Sequence, residues 1–235
     1  MGHELGVVPR DWEAAAVHWA LTYPEVYEVG SSNLGHIILY SVLNAVPGQL
    51  CDRAYLPAPD LATRLRERQQ PLFAVESRRP LLAFDILGFS LSYELGATNI
   101  LEMLDLCRVP IRAADRGDRP ITDPDAPPLI FAGGPTATSN PEPYAPFVDF
   151  IALGDGEELL PEIGLVVAQA KAEGLTRSQL LRDLGQVPGV YVPSLYEPGA
   201  DGVTLEPLHP ELPRSVLRRV ATPCLLYTSD AADEP

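Results

Sequence analysis

Glycine and small polar residues gather at four points of this chain: Gly30-Ser31-Ser32-Asn33-Leu34-Gly35, Gly88-Phe89-Ser90-Leu91-Ser92-Tyr93, Gly133-Gly134-Pro135 and Gly154-Asp155-Gly156-Glu157. Glycine lets backbone approach a ligand closely, and serine hydroxyls bond amides and phosphates. The candidate cofactor-binding residues are therefore Ser31, Ser32, Asn33, Ser90, Ser92, Gly133, Gly134, Gly154 and Gly156. Any one tip taken singly is equally a tight turn. Four along one edge would make a crevice. The first tip is not a dinucleotide fingerprint, since Gly30 and Gly35 stand five apart, and no Gly-Lys-Ser/Thr phosphate loop occurs.

Acidic residues offer a second chemistry. Glu94, Asp155, Glu157 and Glu158 fall near the same tips and would serve as an acid–base pair or bind magnesium. Glu157 and Glu158 at a helix start are also what the helix dipole favours. His36 sits on the first helix with no second histidine or cysteine at ligand spacing, which points to a surface or packing role. No nucleophile elbow and no Ser-His-Asp set is present, so no catalytic residue and no metal ligand is assigned.

Three of the tips follow short apolar runs, and each tip leads into a helical pattern. Asn33 caps a helix whose apolar side is Leu34, Ile37, Ile38, Val42 and Ala45, stopped by Pro47-Gly48. Asp60 caps a charged helix from Leu61 to about Gln69. A helix from about Glu94 buries Ile100, Met103, Leu104 and Cys107, and a longer one buries Leu159, Ile163, Val167 and Ala170 until Gly174 closes it. Strands are expected over residues 53–56, 81–87, 129–132 and 147–153, with residues 81–87 as the central one, and a short helix starts at Asn140-Pro141. Strands alternating with helices give an α/β class: a flavodoxin-like doubly wound parallel sheet of about five strands, followed by an irregular extended linker. Residues 1–22 read as a leader with one short helix around Trp12 to Trp19, residues 23–174 as the domain, and residues 175–222 as a helix, a short strand or hairpin and a linker.

The 235 residues suffice for one sizeable core. Charge is −15, from 32 acids against 17 bases, and Lys171 is the one lysine. Such a surface resists non-specific attraction to nucleic acid or anionic lipid. Cysteines 51, 107 and 224 form no redox or metal spacing, and Cys107 reads as core. No apolar run approaches the ~18–20 residues of a membrane span, so a reducing cytoplasm is expected.

Residues 23–35, Leu39-Tyr40-Ser41-Val42-Leu43-Asn44, residues 84–95 with Thr98-Asn99-Ile100-Leu101, Ala132-Gly133-Gly134-Pro135, Asn140-Pro141-Glu142-Pro143 and Gly154-Asp155-Gly156-Glu157 together resemble the N-terminal region of an uncharacterised radical S-adenosylmethionine (SAM) protein family. Its members join a cobalamin-binding-like α/β domain to a radical SAM barrel, and the resemblance covers about residues 17–220. It implies a cobalamin-binding-like accessory domain whose partner is the chain's own C-terminal barrel. The [4Fe-4S] cluster and S-adenosylmethionine would be held there, on an Arg-Gly-Cys-x3-Cys-x2-Cys motif. No such motif is present, and Cys224 stands alone. Residues 223–235 resemble a translated sequencing-adapter read-through, which implies a natural chain continuing beyond about Thr222 and a piece inactive by itself. In the family, Ser90, Ser92, Gly133 and Gly134 match positions that cradle the cofactor's nucleotide tail. The Asp-x-His-x2-Gly motif of histidine-ligated cobalamin is missing, which implies cobalt without a protein ligand. An empty domain bracing the barrel remains the alternative, and a small enzyme using Asp155 or Glu157 is the third reading.

Overall fold

The computed structural model describes residues 11–221. The elements are β1 (Val17–Tyr23), α1 (Tyr27–Gly30), α2 (Leu34–Ala45), β2 (Gln49–Tyr55), α3 (Pro59–Glu67), β3 (Ile86–Ser90), α4 (Gly96–Cys107), β4 (Leu129–Gly133), α5 (Pro135–Ser139), β5 (Phe150–Ala152), α6 (Gly156–Glu173), α7 (Arg177–Leu184), β6 (Val190–Tyr191), β7 (Tyr196–Pro198) and β8 (Leu205–Pro207). The main sheet runs β2-β1-β3-β4-β5-β6. Its first five strands are parallel, and β6 closes the edge antiparallel to β5. This is the expected flavodoxin-like and cobalamin-binding-like α/β order, with one antiparallel strand added. A separate hairpin pairs β7 with β8.

Helices cover both faces. Against one lie Ile100, Met103 and Leu104 of α4 and Leu65 of α3, packed on Leu87 and Phe89. Against the other lie Leu159, Ile163 and Val167 of α6 with Leu43 of α2, packed on Trp19, Ile86 and Phe131. Helices α4 and α6 bury the faces read from their periodicity, but α2 does not: Leu34, Ile37 and Ala45 of its expected apolar side are exposed, and His36, Leu43 and Asn44 are buried instead. Its cap holds, with Asn33 Oδ1 accepting from the His36 amide at 3.0 Å, and Gly174 ends α6 in the left-handed region at φ 66°. Thr176 and Gln179 form a capping box for α7. Cys107 lies fully buried in the core, and burial pushes its thiol pKa upward.

Four expectations need correction. No helix spans Trp12 to Trp19; residues 17–22, placed within the leader, form β1 with Tyr23 between β2 and β3. Both of its faces are covered, so it carries no polar alternation to announce a strand. Strand β2 starts at Gln49 rather than Arg53. Its polar Asp52 and Arg53 are satisfied from residues 23 to 25 positions away: Asp52 accepts from the amides of Arg53, Glu76 and Ser77, and Arg53 Nε meets Glu76 at 2.7 Å. The same segment covers the sheet edge, with the Val75 amide on the Arg53 carbonyl at 2.8 Å. Residues 81–83 form a 3-10 turn, so the central strand is displaced to Ile86–Ser90. The charged helix α3 starts at Pro59 with no side-chain cap, and Asp60 lies in its first turn. Two smaller differences follow from proline. Pro135 opens α5 instead of merely ending β4, and the helix expected at Pro141 is a single 3-10 turn. Among the described residues no helix is long and apolar enough to cross a membrane.

Candidate functional site

In this strand order the connections reverse direction between β1 and β3, and the crevice outside their carboxyl ends is where open α/β sheets bind ligands. A cavity of about 310 Å³ lies there. Its apolar wall comes from Leu21, Leu39, Phe89, Phe131 and Leu160, contributed by β1, α2, β3, β4 and α6. Hollows of about 420 and 610 Å³ lie at the opposite, amino end of the sheet and touch none of the nine candidate cofactor-binding residues.

Seven of the nine candidates line the carboxyl-end cavity. Asn33, Ser90 and Ser92 supply side-chain polar groups, and Gly133, Gly134, Gly154 and Gly156 supply close backbone. Ser31 and Ser32 do not. The Ser31 amide closes the end of α1 on the Tyr27 carbonyl, and the Ser32 hydroxyl donates to Val29 O at 3.1 Å. Both are spent on a local turn.

The glycines differ in kind. Gly134 has φ 100° and ψ 177°, and a Cβ there would lie 2.7 Å from the Leu91 carbonyl oxygen. Gly133 has room for a Cβ, with the nearest atoms of Ala152 at 3.6 and 3.7 Å. Gly154 is not the open tip expected. Arg219 lies along it, its amide on Leu153 O at 2.8 Å and its carbonyl accepting from the Asp155 amide at 3.0 Å. The Arg219 guanidinium reaches Glu162 at 3.1 Å and Glu158 at 3.6 Å, and Asp155 Oδ2 accepts from the Ala221 amide at 3.0 Å. The segment following the hairpin is thus fastened over the start of α6. Asp155 and Glu158 are engaged in holding it.

Two residues at the cavity were not among the nine candidates. His36, assigned to surface or packing, is 2% exposed and lines the cavity, and its Nε2 has no hydrogen-bond partner. Burial, with the Arg53 charge as a lesser cause, lowers its pKa to about 4, so the imidazole is neutral at pH 7. Tyr23 and Tyr55 present ring edges to it at 5.7 and 5.6 Å. The available signal was position: His36 lies three residues after the helix cap, on the turn that faces the strand ends. Tyr23, the last residue of β1, hydrogen-bonds both Asn33 and Ser92. Among the described residues no group of three or more histidine, cysteine, aspartate or glutamate side chains is arranged to hold a metal ion.

Around the mouth, Val29, Leu34, Tyr93 and Leu95 are exposed, Leu34 by 64% and Leu95 by 79%. These come from α1, α2 and the β3–α4 loop, the elements that build the crevice.

Comparison with known proteins adds a family. No curated protein matches the chain. A solved structure of the radical S-adenosylmethionine methyltransferase TsrM from Kitasatospora setae, with tryptophan substrate and the SAM analogue aza-SAM bound, is similar at 16% identity and a TM-score of 0.46. The similarity covers 79% of this chain and 29% of that one. The family model described as "Radical SAM proteins, N-terminal" matches residues 35–193, well over half of the 235 residues. The match takes in α2, all strands from β2 to β6 and every cavity-lining tip except Asn33, and on that evidence the chain belongs to this family of N-terminal regions of radical SAM proteins.

Proposed function

We propose that this domain holds the nucleotide tail of a cobalamin in the carboxyl-end cavity, as the accessory domain of a radical SAM enzyme. The [4Fe-4S] cluster and S-adenosylmethionine belong, in this reading, to a barrel encoded downstream. The observation that carries it is the composition of the cavity: a glycine cradle, an apolar wall, and a buried neutral imidazole with an unpartnered nitrogen. Buried polar atoms are nearly always satisfied, and one without a partner beside a cavity calls for an explanation that a bound ligand would give.

Size supports the tail rather than the whole cofactor. About 310 Å³ is the lower end of small-molecule pockets, enough for a heteroaromatic base with part of its ribose. The corrin must stay outside, over the mouth. Phe131, with Leu21 and Leu39 on the same face of the sheet, offers apolar surface to a flat base. Gly133 and Gly134 let it approach the backbone, and Ser90 and Ser92 offer hydroxyls to ribose or phosphate oxygens. The His36 ring, sunk in the wall, suits a nitrogen or oxygen of the tail and not a metal held outside. Bound cobalamin supplies the cobalt–carbon chemistry, and this chain's residues bind and orient it. Its substrate is unspecified by this domain.

The exposed apolar rim favours a second reading, a bracing domain that only packs against its barrel. Equilibrium dialysis of the purified chain against hydroxocobalamin separates the two. Retention of one corrinoid per chain, with dicyanocobinamide (which lacks the nucleotide tail) retained poorly, is the expected result. A colourless chain after dialysis refutes the cobalamin reading and leaves the brace.

A further inference from the structure

A hydrogen-bond relay of fixed polarity ends at the cavity mouth. The Asn33 Oδ1 atom is committed as the cap of α2, accepting from the His36 amide at 3.0 Å. Its Nδ2 is therefore the atom that faces Tyr23, to whose hydroxyl it donates at 3.2 Å. With that oxygen accepting, the Tyr23 proton goes to Ser92 Oγ, also at 3.2 Å. Ser92 Oγ is left as an acceptor toward Tyr23, with its own proton unspent. Among the described residues nothing accepts that proton. Ser90, which has no side-chain bond, is a free rotor able to donate or accept; Ser92 is not.

We infer that Tyr23 is a positioning and specificity-determining residue, which fixes Ser92 as a hydrogen-bond donor and so selects a ligand presenting an acceptor oxygen or nitrogen at the mouth. The inference rests on the cavity being the cobalamin-tail site. The acceptors available on that tail are its ribose oxygens and phosphodiester. Relay geometry also ties the selection to the fold. Tyr23 ends β1, Asn33 starts α2 and Ser92 follows β3, so the three converge only when β1 and β3 pair in register. Tyr23 itself is 5% exposed and held against the His36 ring, so its hydroxyl cannot swing away to water.

The test is a titration of hydroxocobalamin and dicyanocobinamide into the wild-type chain and five variants. Tyr23→Phe and Ser92→Ala should each weaken cobalamin binding by about three- to tenfold, the worth of one hydrogen bond. The double variant should lose no more than either alone, because one relay is broken once. Cobinamide, without the tail acceptors, should bind all of them alike. Asn33→Asp distinguishes polarity from packing. Aspartate caps a helix as well as asparagine does, so the melting temperature should hold. Its carboxylate can only accept from Tyr23, however, which reverses the relay and makes Ser92 donate inward. Cobalamin affinity should then fall at least as far as in Tyr23→Phe, and adding Tyr23→Phe should change nothing further. Unchanged cobalamin affinity in Tyr23→Phe, or additive losses in the double variant, overturns this inference and leaves the cavity assignment standing. A wild-type chain that binds no cobalamin overturns both.

Discussion

Gly133 and Gly134 are adjacent, were read from the sequence as one ligand-cradling pair, and should respond to the same substitution in opposite ways. At Gly134, alanine meets two penalties. Its φ of 100° with ψ 177° belongs to a region occupied almost solely by glycine, at a cost of about 1–3 kcal/mol for other residues. The new Cβ would also stand 2.7 Å from Leu91 O, 3.2 Å from Leu91 C and 3.3 Å from Leu91 N. Leu91 cannot retreat, because its amide donates to Gly133 O at 2.8 Å and its carbonyl accepts from Thr136 N at 3.2 Å. Strain and collision together come to roughly 3 kcal/mol or more, a fall of about 6–12 °C in melting temperature for a domain of this size. At Gly133 the backbone φ is not positive, and the nearest atoms to a Cβ are at 3.6–3.8 Å, ordinary contact. Gly133→Ala should stay within about 0.5 kcal/mol, or roughly 2 °C. Thermal unfolding followed by circular dichroism on the two variants side by side measures both. Equal shifts, or a Gly134→Ala shift under about 2 °C, would refute the reasoning that the fold requires glycine at 134 and not at 133.

Two further outcomes follow from the same geometry. His36 has a folded pKa of about 4 against 6.5 when free. As pH falls through 6.5 the unfolded chain takes up a proton that the folded chain refuses, so the stability is complete above pH 6.5 and drains away toward pH 4, by roughly 3 kcal/mol in all. Denaturant titrations at pH 7 and pH 4.5 should show a smaller loss in His36→Phe than in the wild-type chain; equal losses would mean the ring is not buried neutral. Separately, Gly154→Ala places a Cβ against the backbone of Arg219, 2.7 Å from its nitrogen, at a φ of 94°. The segment fastened there should detach, and trypsin should cut after Arg218 and Arg219 at least about tenfold faster, as expected when a local opening becomes easy. An unaltered cleavage rate would show that this strap contributes no protection.

The parts of the fold legible in the sequence are those whose signal is local. Helix α4 shows its buried face as Ile100, Met103, Leu104 and Cys107, and α6 shows Leu159, Ile163, Val167 and Ala170, because four-residue spacing and burial coincide in one stretch of chain. The serine and glycine tips were legible for a similar reason, since a parallel strand must break where its crossover begins. Strand β1 was not, and β2 was legible only from Arg53 onward. His18 within β1 is made compatible with burial by Asp85, which accepts from its amide at 2.8 Å and meets its ring at 3.2 Å, and that partner lies 67 residues away. Asp52 and Arg53 within β2 depend likewise on residues 75–77. The roles of His36 and Tyr23 were hidden by the same distance: Tyr23 and Ser92 are 69 residues apart, and only the pairing of β1 with β3 brings them together. Ser31 and Ser32 failed in the other direction, since a turn of the chain absorbs them before they reach the crevice.

The two ends of the sheet treat their polar groups differently, and the contrast supports the proposed site. At the amino end the buried charges are matched. Asp85 is held by Lys171 at 2.8 Å and by His18. Burial, the largest influence, works to raise its pKa, but these bonds outweigh it and the carboxyl ends below its usual range. Asp149 meets Arg116 at 2.9 Å and Arg177 at 3.1 Å, while Arg116 also donates to the carbonyls of Pro110, Ile111 and Phe147. Arg177 Nη1 touches Asp149 at ion-pair distance without hydrogen-bond alignment, but Nη2 of the same group donates to Pro128 O at 3.0 Å. At the carboxyl end the same chain leaves the buried His36 Nε2 without a hydrogen-bond partner, beside a half-buried Ser90 and an exposed Ser92 that line the same cavity. A buried polar atom without a partner costs about 1–3 kcal/mol. A fold that satisfies an aspartate between two arginines at one end has the means to satisfy an imidazole at the other. That it does not do so supports the proposal that a ligand bound where β1 and β3 part supplies the missing partner.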